Sequence, residues 1–199
     1  MDSFVQGFTV SGGLIIAIGA QNAHVLKMGL IRQHVRPTVI ICAVSDALLI
    51  GLGIAGMGAL LERWPQAVQI ATWGGAAFLF WYALNSLQSA LSPRSMEIGG
   101  MGKTISLRRA VTLILSFTYL NPHAYLDTMV LIGTIGAHLP GDERWVFWSG
   151  CISASVTWFC VLGFGASRLA PIFSRPESWR VLDGLIGVGM ATLAFSLIR

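Results

Sequence analysis

Six long apolar stretches, separated by short connections, limit the folds that this chain can adopt. A helix needs about 20 mostly apolar residues to cross a hydrocarbon core of about 30 Å. The six stretches are Phe4–Leu26, Thr38–Leu61, Ala67–Leu91, Ala110–Ala137, Trp145–Leu169 and Trp179–Ile198. Because they are continuous and lack the alternation of a barrel strand, they predict an all-α membrane protein with six transmembrane helices.

The composition excludes a water-soluble globule. Hydrophobic residues make up 54% of the chain and charged residues only 11%, whereas soluble domains contain roughly 25% charged residues. The net charge of +4 invites a nucleic-acid partner, but the basic groups lie at the ends of the apolar stretches. We therefore expect the lipid bilayer, and no nucleic acid, as the partner.

The basic residues predict how the chain threads the membrane. Ten of the thirteen Lys and Arg residues fall in the first, third and fifth connections: Lys27, Arg32, Arg36, Arg94, Lys103, Arg108, Arg109, Arg168, Arg175 and Arg180. The other connections hold only Arg63 and Arg144, and Arg199 ends the chain. Basic connections stay in the cytoplasm. Both termini are therefore expected in the periplasm.

The longest connection divides the single transporter domain into two halves. Residues 1–91 and 109–199 hold three stretches each, and 92–108 form a cytoplasmic loop rich in Gly, Ser and charge. Three is an odd number, so the second half enters the membrane inverted, as in many transporters. Asn22-Ala23-His24 resembles Asn121-Pro122-His123, which favours two inverted three-helix repeats.

Three aspartates lie within the apolar stretches. An ionised Asp near the centre of a membrane helix costs about 2.5–3.5 kcal/mol, so such a group is a functional candidate by default. Asp46 and Asp127 are the two binding candidates. Asp183 lies three residues after Arg180, and a local ion pair or a helix-start carboxylate explains it.

A proline within the fourth stretch predicts a broken helix. Pro122 has no backbone N–H and disfavours helical dihedrals at Asn121. His123 and Asp127 are four residues apart and share a helical face. These polar groups favour a lined cavity over a simple kink. The half-helix that begins there has a dipole that favours a substrate carboxylate.

The first stretch carries polar residues near its inner end. Gln21 and Asn22 are candidates to line the cavity or to hydrogen-bond across helices, and the same alternatives hold for Asn121. His24 is expected to reach the membrane interface.

Other chemistries are less well supported. His123 and Asp127 have the spacing of two metal ligands, but two are too few, so neither a metal nor a cofactor is expected. An acid pair of Asp46 and Asp127 would suit an intramembrane enzyme if the carboxyls were close together. A third alternative is an assembly protein whose polar residues only join helices.

Several strings resemble the LysE family, bacterial inner-membrane exporters of lysine and arginine, over essentially the whole chain. They are Gly19-Ala20-Gln21-Asn22-Ala23, Ser45-Asp46-Ala47-Leu48-Leu49, Leu120-Asn121-Pro122-His123-Ala124-Tyr125-Leu126-Asp127, Trp158-Phe159 with Gly163-Phe164-Gly165, and Trp179-Arg180-Val181-Leu182-Asp183-Gly184. The family has proline where this chain has Ala20. The first helix is therefore expected to be straighter than is typical of the family.

The resemblance implies export of arginine, lysine or close cationic analogues, and no enzymatic activity. One charge crossing 100 mV is worth about 2.3 kcal/mol, so export of a cation from a negative interior is uphill unless a proton moves inward. Proton antiport through Asp46 or Asp127 is the hypothesis that follows. The alternative within the same superfamily is export of neutral amino acids such as threonine or homoserine. Small residues in the apolar stretches allow close contact between helices. Such contacts also suit a homo-oligomer, but they do not set the number of subunits.

Overall fold

The computed structural model describes residues 2–16, 19–57, 65–91, 104–169 and 176–198, which contain helices and no β-strand. The α-helices are α1 (Ser3–Ile15), α2 (Ala20–Leu30), α3 (Val35–Leu52), α4 (Pro65–Leu91), α5 (Leu107–Tyr119), α6 (Pro122–Tyr125), α7 (Gly133–Ala137), α8 (Glu143–Gly165) and α9 (Pro176–Ile198). A π-helical segment, Gly53–Met57, extends α3, and a second, Leu126–Ile132, joins α6 to α7. The prediction of an all-α protein is confirmed.

Three helical stretches of the described residues are long and apolar enough to cross a membrane alone. They are Val35–Gly56, Glu143–Arg168 and Glu177–Ile198, and the bent pair α1 and α2 supplies a fourth if it is counted as one crossing. The number of six crossings stays a prediction. Residues 92–103 of the predicted loop 92–108 lie outside the described residues.

Parts of the three basic connections meet at one end of the molecule. Arg32 Nη2, after α2, donates to Ser167 O, after α8, over 3.1 Å. His34 Nε2 lies 2.6 Å from Ile105 O, which precedes α5. The basic end is therefore the end of the bundle where α8 finishes.

The start of α1 lies at the opposite end of the bundle. Ser3 Oγ donates to Glu143 Oε2 over 3.0 Å, beside the start of α8. With 23 residues, α8 is roughly 34 Å long at 1.5 Å per residue, which is about the thickness of a bilayer core. The described N-terminal residues and the basic end are therefore separated by about one membrane thickness.

Helix pairs organise the bundle around α3. The helix α1 packs along α8, α4 packs along α9, and α3 lies against both α8 and α5. Small residues permit the closest approaches. At Gly7 and Gly150, for example, an added Cβ would strike the backbone of the facing helix, so α1 and α8 touch main chain to main chain.

The first stretch is broken although it lacks the proline of the family, and whether it is straighter than is typical of the family stays a prediction. The helix α1 ends at Ile15 and α2 begins at Ala20, with the two axes 82° apart. Gly19 is extended, with φ −112° and ψ 176°. Asn22 Nδ2 donates to Ile15 O over 2.7 Å, which satisfies a carbonyl that the end of α1 leaves without a helical partner. A side-chain amide thus stabilises this break without a proline.

The predicted break in the fourth stretch is confirmed. The helix α5 ends at Tyr119, Asn121 is extended at φ −98° and ψ 106°, and Pro122 occupies the first turn of α6. Gly75 of α4 faces the break, and a Cβ there would overlap Leu120 O and lie 3.0 Å from Pro122 Cδ. The interrupted backbone is therefore covered by a neighbouring helix that comes close enough only without a side chain.

Candidate functional site

Asp46 lies in the interior of the bundle. It is on α3, and only 5% of the residue is exposed. Ser155 Oγ of α8 donates a 2.7 Å hydrogen bond to Asp46 Oδ2. Among the described residues, no cation forms an ion pair with this carboxyl. A buried carboxylate without a cation is costly, so the site is suited to binding a positive group.

Gln21 lies beside this carboxyl, so the structure brings together two of the predicted site residues. Its side chain is next to both Asp46 and Cys42. Its Nε2 atom is buried and lies beside the Asp46 carboxyl, but it forms no hydrogen bond of ordinary geometry with any described residue. Because buried donors are normally paired, a small change in the orientation of this amide would direct it to Asp46 or to an acceptor on a ligand.

Two tyrosines connect the broken helix to α3. Tyr119 OH donates to Ser45 Oγ over 3.1 Å, and Tyr125 OH donates to Tyr119 O over 2.8 Å. Ser45 immediately precedes Asp46. A movement of the break at Asn121 is therefore linked by hydrogen bonds to the helix that carries the buried carboxyl.

Asn121 caps the helical segment that begins at Pro122. Its Oδ1 accepts from His123 N over 3.2 Å, and its backbone oxygen accepts from Ala124 N over 3.0 Å. Pro122 has no N–H. The position predicted for a substrate carboxylate is therefore filled by the Asn121 side chain in this conformation.

Asp127 occupies a different setting from Asp46. It is half-buried in the π-helical segment Leu126–Ile132, and His123 is close enough to act on it electrostatically. This segment packs against α3, but no hydrogen bond within the described part of the chain joins Asp127 to Asp46. Segments of π-helix are frequent at functional sites.

The π-helical segment after α3 contacts the start of α7 at a pair of glycines. A Cβ at Gly53 would lie 2.7 Å from Met129 Cα and 3.0 Å from Gly133 Cα. The π-helical segment that follows the helix of Asp46 is therefore in backbone contact with the π-helical segment that contains Asp127.

Asn22 and His24 differ in what they contact. Trp158 Nε1 donates to Asn22 Oδ1 over 3.2 Å, so Asn22 joins α2 to α8 in addition to its bond with Ile15. The expectation that His24 reaches the interface is wrong, because it is 2% exposed. Its ring packs against Phe117 at a centroid distance of 5.6 Å, held there by the packing of α2 on α5.

The ion pair expected within α9 is formed with another helix instead. Asp183 Oδ1 binds Lys27 Nζ of α2 at 2.9 Å, whereas Arg180 Nε donates to Ala90 O at 3.0 Å. Sequence distance made Arg180 the nearer candidate, but the packing of α2 beside α9 brings Lys27 closer to the carboxyl.

A cavity of about 590 Å³ opens at the basic end, away from Asp46. It is lined by Gly29, Arg32, His34, Val35, Arg36, Pro37, Gly163, Phe164 and Ser167. No group of three His, Cys, Asp or Glu side chains in the described ranges is arranged to hold a metal ion.

Sequence reasoning missed Ser155, Tyr119 and Lys27 as members of these polar groups. A serine in a membrane helix usually hydrogen-bonds its own backbone, as Ser153 Oγ does to Ser149 O at 2.7 Å. Nothing in the sequence distinguishes Ser155 from Ser153. Only the packing of α8 on α3 identifies the serine that reaches Asp46.

Comparison with known proteins places the whole chain among transporters. A family model described as LysE type translocator matches residues 13–199. The arginine exporter protein ArgO of Yersinia enterocolitica is 42% identical over 196 residues, which cover 98% of this chain and 96% of that protein. The ArgO protein of Photorhabdus laumondii is 40% identical over 200 residues, covering 100% and 96%. No solved structure matches the chain.

Proposed function

We propose, because this chain belongs to the LysE family of translocators, that it exports basic L-amino acids, arginine and lysine, across the bacterial inner membrane. The chain is accordingly a transporter and not an acid-pair enzyme. The observation that carries the choice of substrate is the buried Asp46 carboxyl, which has a hydroxyl donor but no cation beside it among the described residues.

A basic amino acid offers groups that match this site. One of its cationic groups would bind Asp46 and offset the hydration that a carboxylate loses on burial. Gln21 Nε2 lies beside Asp46 without a hydrogen bond of ordinary geometry to any described residue, and it would donate to the substrate's carboxylate. The carboxylate could further displace Asn121 Oδ1 from the N–H of His123, where the helix dipole is favourable. A neutral amino acid lacks a cationic side chain, so one negative charge of the site would be less well compensated.

Proton antiport would drive export against the membrane potential. A net +1 substrate moving outward against 100 mV costs about 2.3 kcal/mol, and an inward proton offsets that cost. We propose that Asp46 and Asp127 alternately bind substrate and proton, facing one water-filled chamber. The half-buried position of Asp127 favours it as the group that exchanges protons with water, while Asp46 is the more enclosed cation site.

The proposed threading has six crossings in two inverted halves. The crossings are α1 with α2, α3, α4, the segment 107–137, α8 and α9. Each half then contains a broken first crossing, at Ile15–Ala20 and at Asn121, in agreement with discontinuous helices at the binding sites of inverted-repeat transporters. Both termini would lie in the periplasm, and periplasmic and cytoplasmic reporter fusions at Arg199 would test this placement.

Uptake of labelled arginine and lysine into inverted vesicles, with and without a pH gradient, tests the function. In inverted vesicles the cytoplasmic face is outside, so an exporter accumulates substrate when the lumen is acidified. Excess lysine should inhibit arginine uptake and excess threonine should not. Inhibition by threonine alone would replace this proposal with export of neutral amino acids.

The variant Asp127→Asn tests the coupling. It should abolish pH-driven counterflow in proteoliposomes because an amide cannot carry the proton. Transport that keeps its full dependence on the pH gradient in this variant would overturn the role of Asp127 while leaving the substrate assignment intact.

A further inference from the structure

A second buried carboxylate, Asp183, already holds a cation of the kind that this protein is proposed to export. Lys27 Nζ lies 2.9 Å from Asp183 Oδ1, and the two side chains are 26% and 10% exposed respectively. They come from different helices, α2 and α9. The Lys27 side chain is the more exposed of the two partners.

The surroundings of this pair suit recognition of an organic cation. Tyr82 is close enough to act electrostatically on both Lys27 and Asp183. Its ring meets Phe117 edge-on at a centroid distance of 4.8 Å, so it is held in place by aromatic packing. A carboxylate with an aromatic ring nearby is a favourable setting for an ammonium or guanidinium.

The pair lies towards the basic end of the bundle. A second cation, Arg109 in the first turn of α5, is close enough to act electrostatically on the Lys27 ammonium. This is the end predicted to face the cytoplasm, where the substrate of an exporter enters. Substrate would therefore meet Asp183 before it reaches Asp46.

Stability alone explains this pair poorly. Desolvation of two charges often cancels their attraction, so hydrophobic residues of similar volume are commonly as stable or more stable. In addition, the side chain of Lys27 carries the same ammonium group as lysine itself, on the same four-carbon stem.

We propose that Asp183 is a cation-binding site on the export path and that Lys27 occupies it in place of substrate when none is bound. The entering ammonium or guanidinium group of the substrate displaces Lys27 and binds Asp183. This inference rests on the proposed export of basic amino acids. It assigns Lys27 as an internal competitor that sets the apparent affinity.

Three variants, Lys27→Met, Asp183→Asn and the double variant, distinguish this role from a structural ion pair. If Lys27 occupies Asp183 for nine-tenths of the time, Lys27→Met lowers the KM for arginine in inverted vesicles by about tenfold. Asp183→Asn raises the KM by roughly tenfold or more because a charge-assisted hydrogen bond is lost. The double variant remains as impaired as Asp183→Asn, since the cation site itself is missing.

A purely structural pair gives the opposite pattern. Lys27→Met then leaves an unpaired buried carboxylate and impairs the protein, and the double variant restores a wild-type KM. Either restoration in the double variant or an unchanged KM in Asp183→Asn overturns the inference. Where Lys27→Met does not accumulate, Lys27→Gln retains a donor for Asp183 without the charge and is expected to lower the KM in the same direction.

Arg180→Gln is the matched control. Arg180 lies three residues before Asp183 on α9, and its Nε binds Ala90 O, so its loss removes a nearby positive charge without touching the pair. Its KM should equal that of the wild type. Wild-type vesicles that take up neither arginine nor lysine would refute the proposed function itself, whereas normal wild-type uptake with a restored double variant refutes only the role of Asp183.

Discussion

Ser155 Oγ of α8 donates a 2.7 Å hydrogen bond to Asp46 Oδ2 of α3, in the interior of the bundle. The dipole of the hydroxyl stabilises the carboxylate. No described Lys, Arg or His forms an ion pair with Asp46. A neighbouring cation would have neutralised Asp46 permanently. A serine instead makes the buried charge tolerable while keeping it available to a positive ligand.

Ser155→Ala should weaken binding of the substrate cation. A hydrogen bond to a charged group is worth about 1.5–3 kcal/mol, and the buried carboxylate loses this stabilisation and its fixed orientation in the variant. We expect the KM for arginine to rise by roughly tenfold. The measurement is the concentration dependence of initial arginine uptake in inverted vesicles.

Ser153→Ala is the control for this change. Ser153 is on the same helix, but its hydroxyl donates to Ser149 O, so its KM should match the wild type. Equal KM values for Ser155→Ala and the wild type would show that the hydroxyl does not affect the function of Asp46.

Ala20→Pro should be tolerated and slightly stabilising. Ala20 is the first residue of α2, and Gly19 before it is extended, which is the geometry that proline prefers at that position. We expect about 0.4–1 kcal/mol of added stability from the restricted unfolded chain. Thermal unfolding of the detergent-solubilised protein measures it.

Ala23→Pro gives the contrasting result. Ala20 and Ala23 are both buried. The N–H of Ala23, however, donates to Gly19 O over 3.0 Å. A proline there removes that bond and should cost about 3 kcal/mol. Equal destabilisation by the two prolines would mean that the helix does not begin at Ala20.

Gly75→Ala should destabilise the packing over the broken helix. The added Cβ would overlap Leu120 O and press on Pro122, and overpacking of this kind costs about 1–3 kcal/mol. We expect a lower yield of monodisperse protein and a lower unfolding temperature. Gly74→Ala, where a Cβ meets no atom within 4 Å, should leave both unchanged, and a similar loss in both variants would contradict the close approach at Gly75.

Asn121→Asp should separate the capping role of this side chain from its role in substrate binding. Aspartate retains an oxygen that accepts from His123 N, but its charge within a membrane helix costs up to about 2.5–3.5 kcal/mol, whereas Asn121→Ala loses only the cap and should cost about 1 kcal/mol. The added negative charge should repel the substrate carboxylate and raise the KM for arginine several-fold. Arginine competition curves measure the effect, and an unchanged KM would exclude the substrate carboxylate from this position.

Part of the candidate site could be predicted from the sequence, because burying a charged or polar group away from water is costly. Asp46 and Asn121 are conspicuous in apolar surroundings for that reason, and the break at Pro122 follows from a missing N–H. Gln21 was predicted from its polarity, although its position beside Asp46 was not.

Local properties of the residues explain the all-helical character, the concentration of basic charge in alternate connections and the break in the fourth stretch, since hydropathy, charge and proline geometry act locally. Helix packing accounts for the break before Ala20, the choice of Ser155 over Ser153 and the pairing of Asp183 with Lys27 rather than Arg180. Each of these depends on which atoms of a neighbouring helix lie within about 3 Å. Such distances are set by how the helices pack, and the order of residues along one helix does not contain them.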